Sequence, residues 1–488
     1  MSEESVYQKL VKICGSKFIS NDPELLKSYS ADLSSVKGKY PKYVIWLSNT
    51  KQIEKVLKLA NIAQFSVIPI SSSSPFRYHG DTIPLRDNTI IVELSRMNKI
   101  LNIDKKNRVV MVEPGVTYGQ IIPILKKQGL RLLQPLYPRT NKSVLTSALE
   151  RVPTVIPRYQ WDSSDPLLCT EVIFGTGDLF RTGTAAGPGS VKQQKKSGQA
   201  QLNPMGPTQF SPFRLIQGAQ GSLGIVSWVT LKLELLPTEQ KVFHLQTEDI
   251  QDLLKLQHEL LKFRLGNELL ILNNNNLACL LKRRPEEIEE LSNSLAKWNL
   301  IFVLGGRGKL ANDKIEYQEG DLNDILSDLK LEYLKRNSKI SDSDIINVLN
   351  SSTSYPWRTR LKGSFQDIFF IINYERISEF LNLVENEVHE DLGVYIQAIN
   401  QGTSYHCEFD IYFNPEDNKK KNHVNQKFSD LSIKLMDNGA FFNRPYGFWA
   451  KEVFKRHLKS TQVALKKVKK IFDPNNILNP GVLCFFDN

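Results

Sequence analysis

The sequence predicts an α+β protein with more than one domain, and three observations carry that prediction. First, "YVIWL", the helix-period stretch "NTKQIEKVLKLANIA" and "SVIPI" follow one another between Tyr43 and Ile70, which reads as a βαβ unit of ordinary length. Second, the texture changes after Pro237, where a strand–helix theme occurs twice, over about 240–305 and 365–415. That reads as an antiparallel α+β domain. Third, 488 residues exceed what a single hydrophobic core organises.

Each element has a local reason. Residues 5–37 read as amphipathic helix. Asn49 or Thr50 caps the helix of the βαβ unit, because a short side-chain oxygen can accept from a first-turn N–H. The second strand, Ser66–Ile70, runs into four serines, Ser71, Ser72, Ser73 and Ser74, and then a Gly80-Asp81-Thr82 turn. Small residues after a strand let backbone N–H groups approach a phosphate. "NTIIVEL" and "RVVMVEPG" are further strands, and a helix starts at Thr117 and closes at Gly129. "DPLLCTEVIFGTGDLFRTG" is a hairpin. Residues 184–212, rich in Gly, Pro, Ser and Gln, read as a functional or unstructured loop. "GAQGSLGIVSWVTLKLELLP" is a glycine turn feeding a strand that ends at Pro237. An acidic helical stretch and "SYPWRTRLKG" separate the two later strand–helix copies. The tail from Gly439 holds "FFNRPYGFW", a basic helix and "KKIFDPNNILNPGVL".

Composition narrows the function classes. Hydrophobic content of 41% and charged content of 24% are those of a globular protein. No window approaches the roughly 20 apolar residues of a membrane span. The N-terminus shows no apolar secretion segment, so a cytoplasmic location is expected. The five cysteines are dispersed, with no C-x-x-C pair, which argues against a disulfide framework or an iron–sulfur cluster in this chain. A net charge of +11 raises the thought of nucleic acid, but the basic residues are spread and none is interleaved with stacking aromatics. They read as solvated faces, with an anionic partner or substrate as the alternative.

Several of these pieces stand in one order: "IIVELSRMNKILNIDKKNRVVMVEPGVTYGQI", "GSLGIVSWVTLKLELLP" and the terminal "FDPNNILNPG". Together they resemble the FAD-linked oxidases of the vanillyl-alcohol oxidase / p-cresol methylhydroxylase superfamily, which has the PCMH-type FAD-binding domain. That superfamily includes glycolate-oxidase-like and D-lactate-dehydrogenase-like flavoproteins. The resemblance covers roughly residues 40–237 and 420–485. It implies a two-subdomain FAD-binding domain over 1–238, an inserted antiparallel α+β substrate (cap) domain over 239–438, and a C-terminal segment, 439–488, that returns to the FAD domain.

The resemblance also implies a site. The loop after the second strand, Ser71 to Asp81 with His79 and Gly80, would wrap the FAD pyrophosphate. A second cofactor stretch falls on "NKSVLTSALE", with Ser143 and Ser147. Pro114 and Gly115 start a helix whose N–H groups would face the cofactor, or are plain capping. Gly221, Gly224, Ile225 and Val226 would cover the adenine and pyrophosphate side. Both loops lack the family's glycines; serine keeps its N–H and adds a hydroxyl, but reaches positive φ less easily. His79 is a candidate covalent flavin anchor, or a phosphate-facing or surface histidine. Arg181-Thr182-Gly183 matches an Arg-Thr-Gly of the phenol oxidases, or is simply a strand end.

On the cap side, "SYHCEFDIYF" alternates, so His406, Glu408 and Asp410 share one strand face. That face suits acid/base work, a divalent metal, or salt bridges in solvent. The His-x-Gly-Asp-Gly-Asn-x-x-His metal motif of the 2-hydroxy-acid branch is missing, and no metal is expected. Phenol oxidisers carry a Tyr-Arg pair that stabilises a phenolate; here Asn443-Arg444 stands with Tyr446 close by. Arg444 is therefore a candidate oxyanion clamp, with Trp357, Arg358 and Arg360 as a second anionic-substrate patch. His406, Arg444 and Tyr446 are the candidate catalytic residues. The implied function is FAD-dependent oxidation of a small alcohol, 2-hydroxy acid or phenol by hydride transfer to the flavin. Electrons would pass to oxygen or to an electron-transfer or iron–sulfur partner subunit, and a homodimer is compatible. Two alternatives are a non-catalytic flavoprotein subunit of a redox complex and a non-redox enzyme like alkylglycerone-phosphate synthase.

Overall fold

Two short parallel pairings start the molecule. Strand β1 is Ile19–Ser20, β2 Tyr43–Trp46, β3 Ser66–Ile70 and β4 Thr89–Glu93, in the order β1-β2-β4-β3. β2 and β3 both run parallel to β4. The crossover helix, Thr50–Ala63, is capped by Asn49, whose side chain accepts from the Gln52 N–H, and ends at Gln64 in the left-handed region. Ile53, Val56, Leu57 and Ala60 recur at helical spacing and are buried against this sheet. The computed structural model describes residues 3–34, 36–72, 77–196, 203–206, 213–336, 340–389 and 391–486.

A second sheet follows, with β5 Ile100–Asp104, β6 Val109–Val112, β7 Leu130–Leu132, β8 Leu167–Phe174, β9 Leu179–Arg181 and β10 Gly224–Leu235. Its order is β5-β6-β10-β8-β9, with β7 also on β10. Thr117 caps the helix Tyr118–Lys127 by accepting from the Gln120 N–H. β8 and β9 form the expected hairpin.

The third sheet is wholly antiparallel. It comprises β11 Glu239–Thr247, β12 Leu269–Asn273, β13 Trp298–Gly306, β14 Lys335–Arg336, β15 Ser364–Ile372, β16 Leu392–Ile399 and β17 Ser404–Phe413. The order is β14-β11-β13-β12-β16-β17-β15. One face packs on helices that include Ile250–Lys262 and Ile377–Glu387; Tyr405, Cys407 and Phe409 point into that core. The other face of β15, β16 and β17 turns toward the first two sheets. The fold is thus the α+β arrangement expected, and no helix among the described residues is long and apolar enough to cross a membrane.

Two expectations need correction. Residues 5–37 are not one helix: Glu3–Cys14 ends at Gly15 (φ 90°), and a second helix, Pro23–Tyr29, restarts behind the Asp22 cap. From Ser30 to Lys37 the described residues hold no helix. Within 184–212, the described part is not structureless, since it holds a 3-10 turn at Gly183–Ala186 and a helix at Val191–Lys196. The hairpin's Arg181 pairs with Glu171 at 2.9 Å, and Thr182 bonds Thr170, so this motif holds the strand end.

The tail ties the sheets together. After the helix Lys459–Phe472, Lys469 Nζ is buried and donates to Asp473, to the Ser222 carbonyl and to the Leu478 carbonyl. Asp473, fully buried, accepts from the Ile477 N–H (3.0 Å) and the Leu478 N–H (2.8 Å). The chain then runs beside β3: Val67 N–H donates to Ile477 O, and Asn479 N–H to Val67 O. Removing one partner of a buried ion pair strands the other charge, at a cost of about 3–5 kcal/mol. Lys469→Met is therefore expected to lower urea-unfolding stability by about that amount; a loss under about 1 kcal/mol contradicts the clasp's role.

Glu93 at the end of β4 is buried and accepts a hydrogen bond from Tyr29 OH at 2.7 Å. Burial pushes its carboxyl from 4.5 up to about 7, with Tyr29 and Arg77 acting against the rise. The folded protein thus holds a proton that the unfolded chain releases, so Glu93 contributes stability at low pH that is lost as pH climbs through about 7. Glu93→Gln should flatten that part of the stability–pH curve, as followed by thermal unfolding at pH values across it.

Candidate functional site

A cavity of about 320 Å³ lies where the third sheet faces the first two. Its one wall is built by the end of β3 and the following loop, the helix Val144–Leu149, and the turn into β10. The opposite wall comes from β15, β16, β17 and the turn at Trp357–Arg360, and the tail closes it with Arg444, Tyr446 and Asn479.

Ser71 and Ser72 line the cavity; Ser73 and Ser74 lie outside the described residues. The Ser72 hydroxyl accepts from the Ser143 N–H at 3.0 Å. Ser143 Oγ donates to the Pro114 carbonyl at 2.5 Å and caps the helix through the Thr146 N–H. Serine thus does what glycine cannot, since its hydroxyl ties the two loops to each other. Pro114, Gly115 and Ser143 do not line the cavity; a side chain at Gly115 would come within 3.0 Å of the Leu94, Ser95 and Met97 carbonyls. They support the wall from behind. Ser147, Gly221, Gly224, Ile225 and Val226 line it. Gly221 has φ +70°, and a Cβ there would stand 2.7 Å from the Pro69 ring.

His79 (φ 72°) and Gly80 (φ 75°) form a left-handed corner after the serines. Such a corner at a non-glycine residue needs outside support, and His79 has it. Its ring stacks on Tyr446, with centroids 4.6 Å apart, and Nε2 meets Asp367 Oδ2 at 3.0 Å. Burial lowers the imidazole's basicity, but the Asp367 carboxylate outweighs this, and its pKa is raised. Gly80 faces away: its N–H donates to Asp32 and a Cβ would strike Val36. Asp81 lines the cavity beside Glu150, and burial together with the Glu150 charge pushes its carboxyl up to about 7. Asn479 holds this corner by donating to the Asp81 and Gln220 carbonyls, both at 2.7 Å.

On the cap wall, His406 and Glu408 line the cavity, as the strand alternation predicts. His406 Nε2 meets Glu408 Oε2 at 3.2 Å. Arg358 grips the other Glu408 oxygen and, through Nε, Asp410 at 3.1 Å. Burial opposes a charged Glu408, but Arg358 and His406 hold its carboxyl below the usual range. Burial, with only one guanidinium between two carboxylates, leaves Asp410 raised. Burial also lowers the His406 pKa, against the pull of Glu408, which favours the neutral imidazole.

Arg444 is 7% exposed, sits 4.2 Å above the Phe369 ring and makes no ion pair among the described residues. Its Nε and the Tyr78 hydroxyl are both buried without a partner among the described residues, and both residues line the cavity. Arg151 holds the tail in place by donating to the Asn443 carbonyl at 3.1 Å. Sequence reasoning missed Tyr78, Asp367, Glu150 and Phe369. Only Tyr78, an aromatic inside the expected cofactor loop, and Glu150, at the end of the second expected cofactor stretch, carried a local signal. Arg360, by contrast, is spent on the Cys279, Leu280 and Lys282 carbonyls.

Comparison with known proteins agrees with this layout. Residues 41–143 match the FAD binding domain family. The 4-cresol dehydrogenase [hydroxylating] flavoprotein subunit of Pseudomonas putida is 27% identical over 230 residues, covering 46% of this chain and 41% of that protein. D-lactate dehydrogenase of Anaerostipes hadrus is 21% identical over 98% of this chain and 97% of its own. The crystal structure of p-cresol methylhydroxylase with substrate bound superposes with a TM-score of 0.80 at 19% identity, over 99% of this chain and 97% of that one. The chain carries an FAD binding domain over residues 41–143 and the fold of the PCMH-type FAD-binding flavoproteins, with FAD as its cofactor. Within that class it is an FAD-linked oxidoreductase. The residues present fit the cofactor. Hydroxyls and a glycine that only a bare backbone can occupy lie at one end of the cavity, and aromatic and basic groups lie at the other. A Cβ at Gly221 both strains the backbone and presses on Pro69, which also lines the cavity. Gly221→Val should thus yield folded protein with little bound FAD, read as the ratio of visible to ultraviolet absorbance; normal flavin content removes this turn from the cofactor site.

Proposed function

We propose that this chain oxidises a small aromatic substrate bearing an anionic oxygen, a phenolate in the first instance. The observation that supports it most is Arg444. A buried guanidinium with no direct ion pair among the described residues, and with only the nearby charges of Glu150 and Glu408 to offset it, is costly, and an anion entering the cavity lowers that cost. The unpartnered Tyr78 hydroxyl, in the same cavity, would donate a second hydrogen bond to that oxygen. Phe365, Phe369 and Tyr395 would flank the ring.

FAD, when bound, supplies the hydride acceptor. Ser71, Ser72 and the Gly221–Val226 turn would hold it, with Ser147 beside them. The chain's own residues do the rest. Arg444 and Tyr78 fix the oxyanion and so orient the substrate carbon. His406, neutral and donating Nε2–H to Glu408, presents Nδ1 as the acceptor for the hydroxyl proton of the substrate or of an attacking water. Tyr446, whose phenol burial keeps protonated, braces the His79 corner by stacking.

A second reading is favoured by the full-length likeness to D-lactate dehydrogenase: Arg444 would clamp the carboxylate of a 2-hydroxy acid. The two readings separate on ligand preference. A charge-assisted hydrogen bond contributes about 1.5–3 kcal/mol. Arg444→Met should therefore raise the dissociation constant for p-cresol roughly 10- to 100-fold, read as perturbation of the flavin spectrum, with FAD content unchanged. An unaltered constant excludes Arg444 as the clamp. A loss seen with D-lactate and absent with p-cresol transfers the site to the hydroxy-acid reading.

A further inference from the structure

We propose that Arg358 is the positioning residue of the His406 base: it clamps Glu408 from the side opposite the imidazole and so fixes which ring nitrogen faces the cavity. The inference rests on the reading of His406 as the proton acceptor. Three contacts build it. Arg358 engages Glu408 Oε1, while Glu408 Oε2 lies 3.2 Å from His406 Nε2. Arg358 Nε also engages Asp410 Oδ2 at 3.1 Å, and Asp410 takes a further bond from Asn276 Nδ2 at 2.8 Å. The guanidinium is stacked 4.0 Å from the buried Trp357 ring. A planar fork held on three sides cannot swing, so the Glu408 carboxylate cannot rotate away from His406.

The consequence for His406 is chemical. A carboxylate fixed at Nε2 selects the tautomer with the proton on Nε2 and leaves the Nδ1 lone pair as the free acceptor. Nδ1 has no hydrogen bond to any described residue, and His406 lines the cavity. The charged and titratable groups facing the ring are Glu408 on its own strand, Tyr395 on β16, Arg358 from the turn at Trp357–Arg360 and Arg444 from the tail. Phe369 on β15 contributes no charge. With Arg358 present, the ring stands between two cations and one carboxylate, which favours its neutral form. Without it, Glu408 is free to turn and no longer shares its charge.

The test uses the intact FAD-loaded protein labelled with nitrogen-15 at its 7 histidines. His406→Gln assigns the His406 signals. Two-dimensional NMR then reads the tautomer and the titration midpoint directly, whatever the substrate. The wild type should show the Nε2–H tautomer and a midpoint below that of ordinary imidazole. Arg358→Met should raise the midpoint by roughly one pH unit and mix the tautomers. Arg358→Lys, which restores the charge but not the fork, should return the midpoint while leaving the tautomers mixed. A purely structural role would lower the melting temperature and leave both readings in place. Unchanged tautomer and midpoint in Arg358→Met overturn the proposal. Should that variant not fold, Arg358→Lys decides alone: a single wild-type tautomer overturns the proposal, a mixture supports it. The parent reading fails separately, if His406→Gln still oxidises p-cresol at the wild-type rate.

Discussion

The buried contact between Lys469 and Asp473 underlies the rest of the structure. It is made four residues apart near the end of the last helix, yet its hydrogen bonds reach the Ser222 carbonyl in the turn before β10 and the Leu478 carbonyl in the tail. Asp473 in turn gathers two tail N–H groups. One small cluster thereby fixes the tail against β3 and against the turn that shapes one wall of the cavity. Asn479, placed by that run, reaches the Asp81 and Gln220 carbonyls. The cavity's shape on the cofactor side follows from where the chain is anchored near its end.

The cap wall obeys a different constraint. A strand buried on both faces has to put one set of side chains into a hydrophobic core and the other against something polar. On β17 the core set is Tyr405, Cys407 and Phe409. The opposite set, His406, Glu408 and Asp410, carries charge into a low-dielectric space, where charge must be paired. Arg358 does this for Glu408 and Asp410. Arg444 differs, because it sits over Phe369 at the cavity with Glu150 and Glu408 near it but no direct ion pair among the described residues. One buried guanidinium is spent directly on two carboxylates and the other makes no ion pair among the described residues, and this contrast supports reading the first as scaffold and the second as ligand site.

Much of this was legible in the sequence, and the limits have physical causes. Period-3.6 patterns and short polar caps located the helices at Thr50–Ala63 and Tyr118–Lys127, because those signals are local. Alternation assigned the two faces of β17 correctly for the same reason. The N-terminal helix was overextended because its amphipathic period continues past Gly15, although Asp22-Pro23 marked the restart. Partners far apart in the chain left no local trace. Asp367 stands 288 residues from His79, and Ser72 stands 71 residues from Ser143. The missing glycines looked like a weakness of the cofactor loops until the fold showed that the serine hydroxyls join them.

The central claim is that this cavity brings a bound flavin and an anionic aromatic substrate together. Anaerobic addition of p-cresol to the FAD-loaded protein, followed through the visible flavin bands, tests it most directly. Bleaching of the bands by p-cresol, which needs a higher p-cresol concentration in Arg444→Met, is the predicted result. Bands that persist with p-cresol but bleach with D-lactate, or bleach with neither, contradict it.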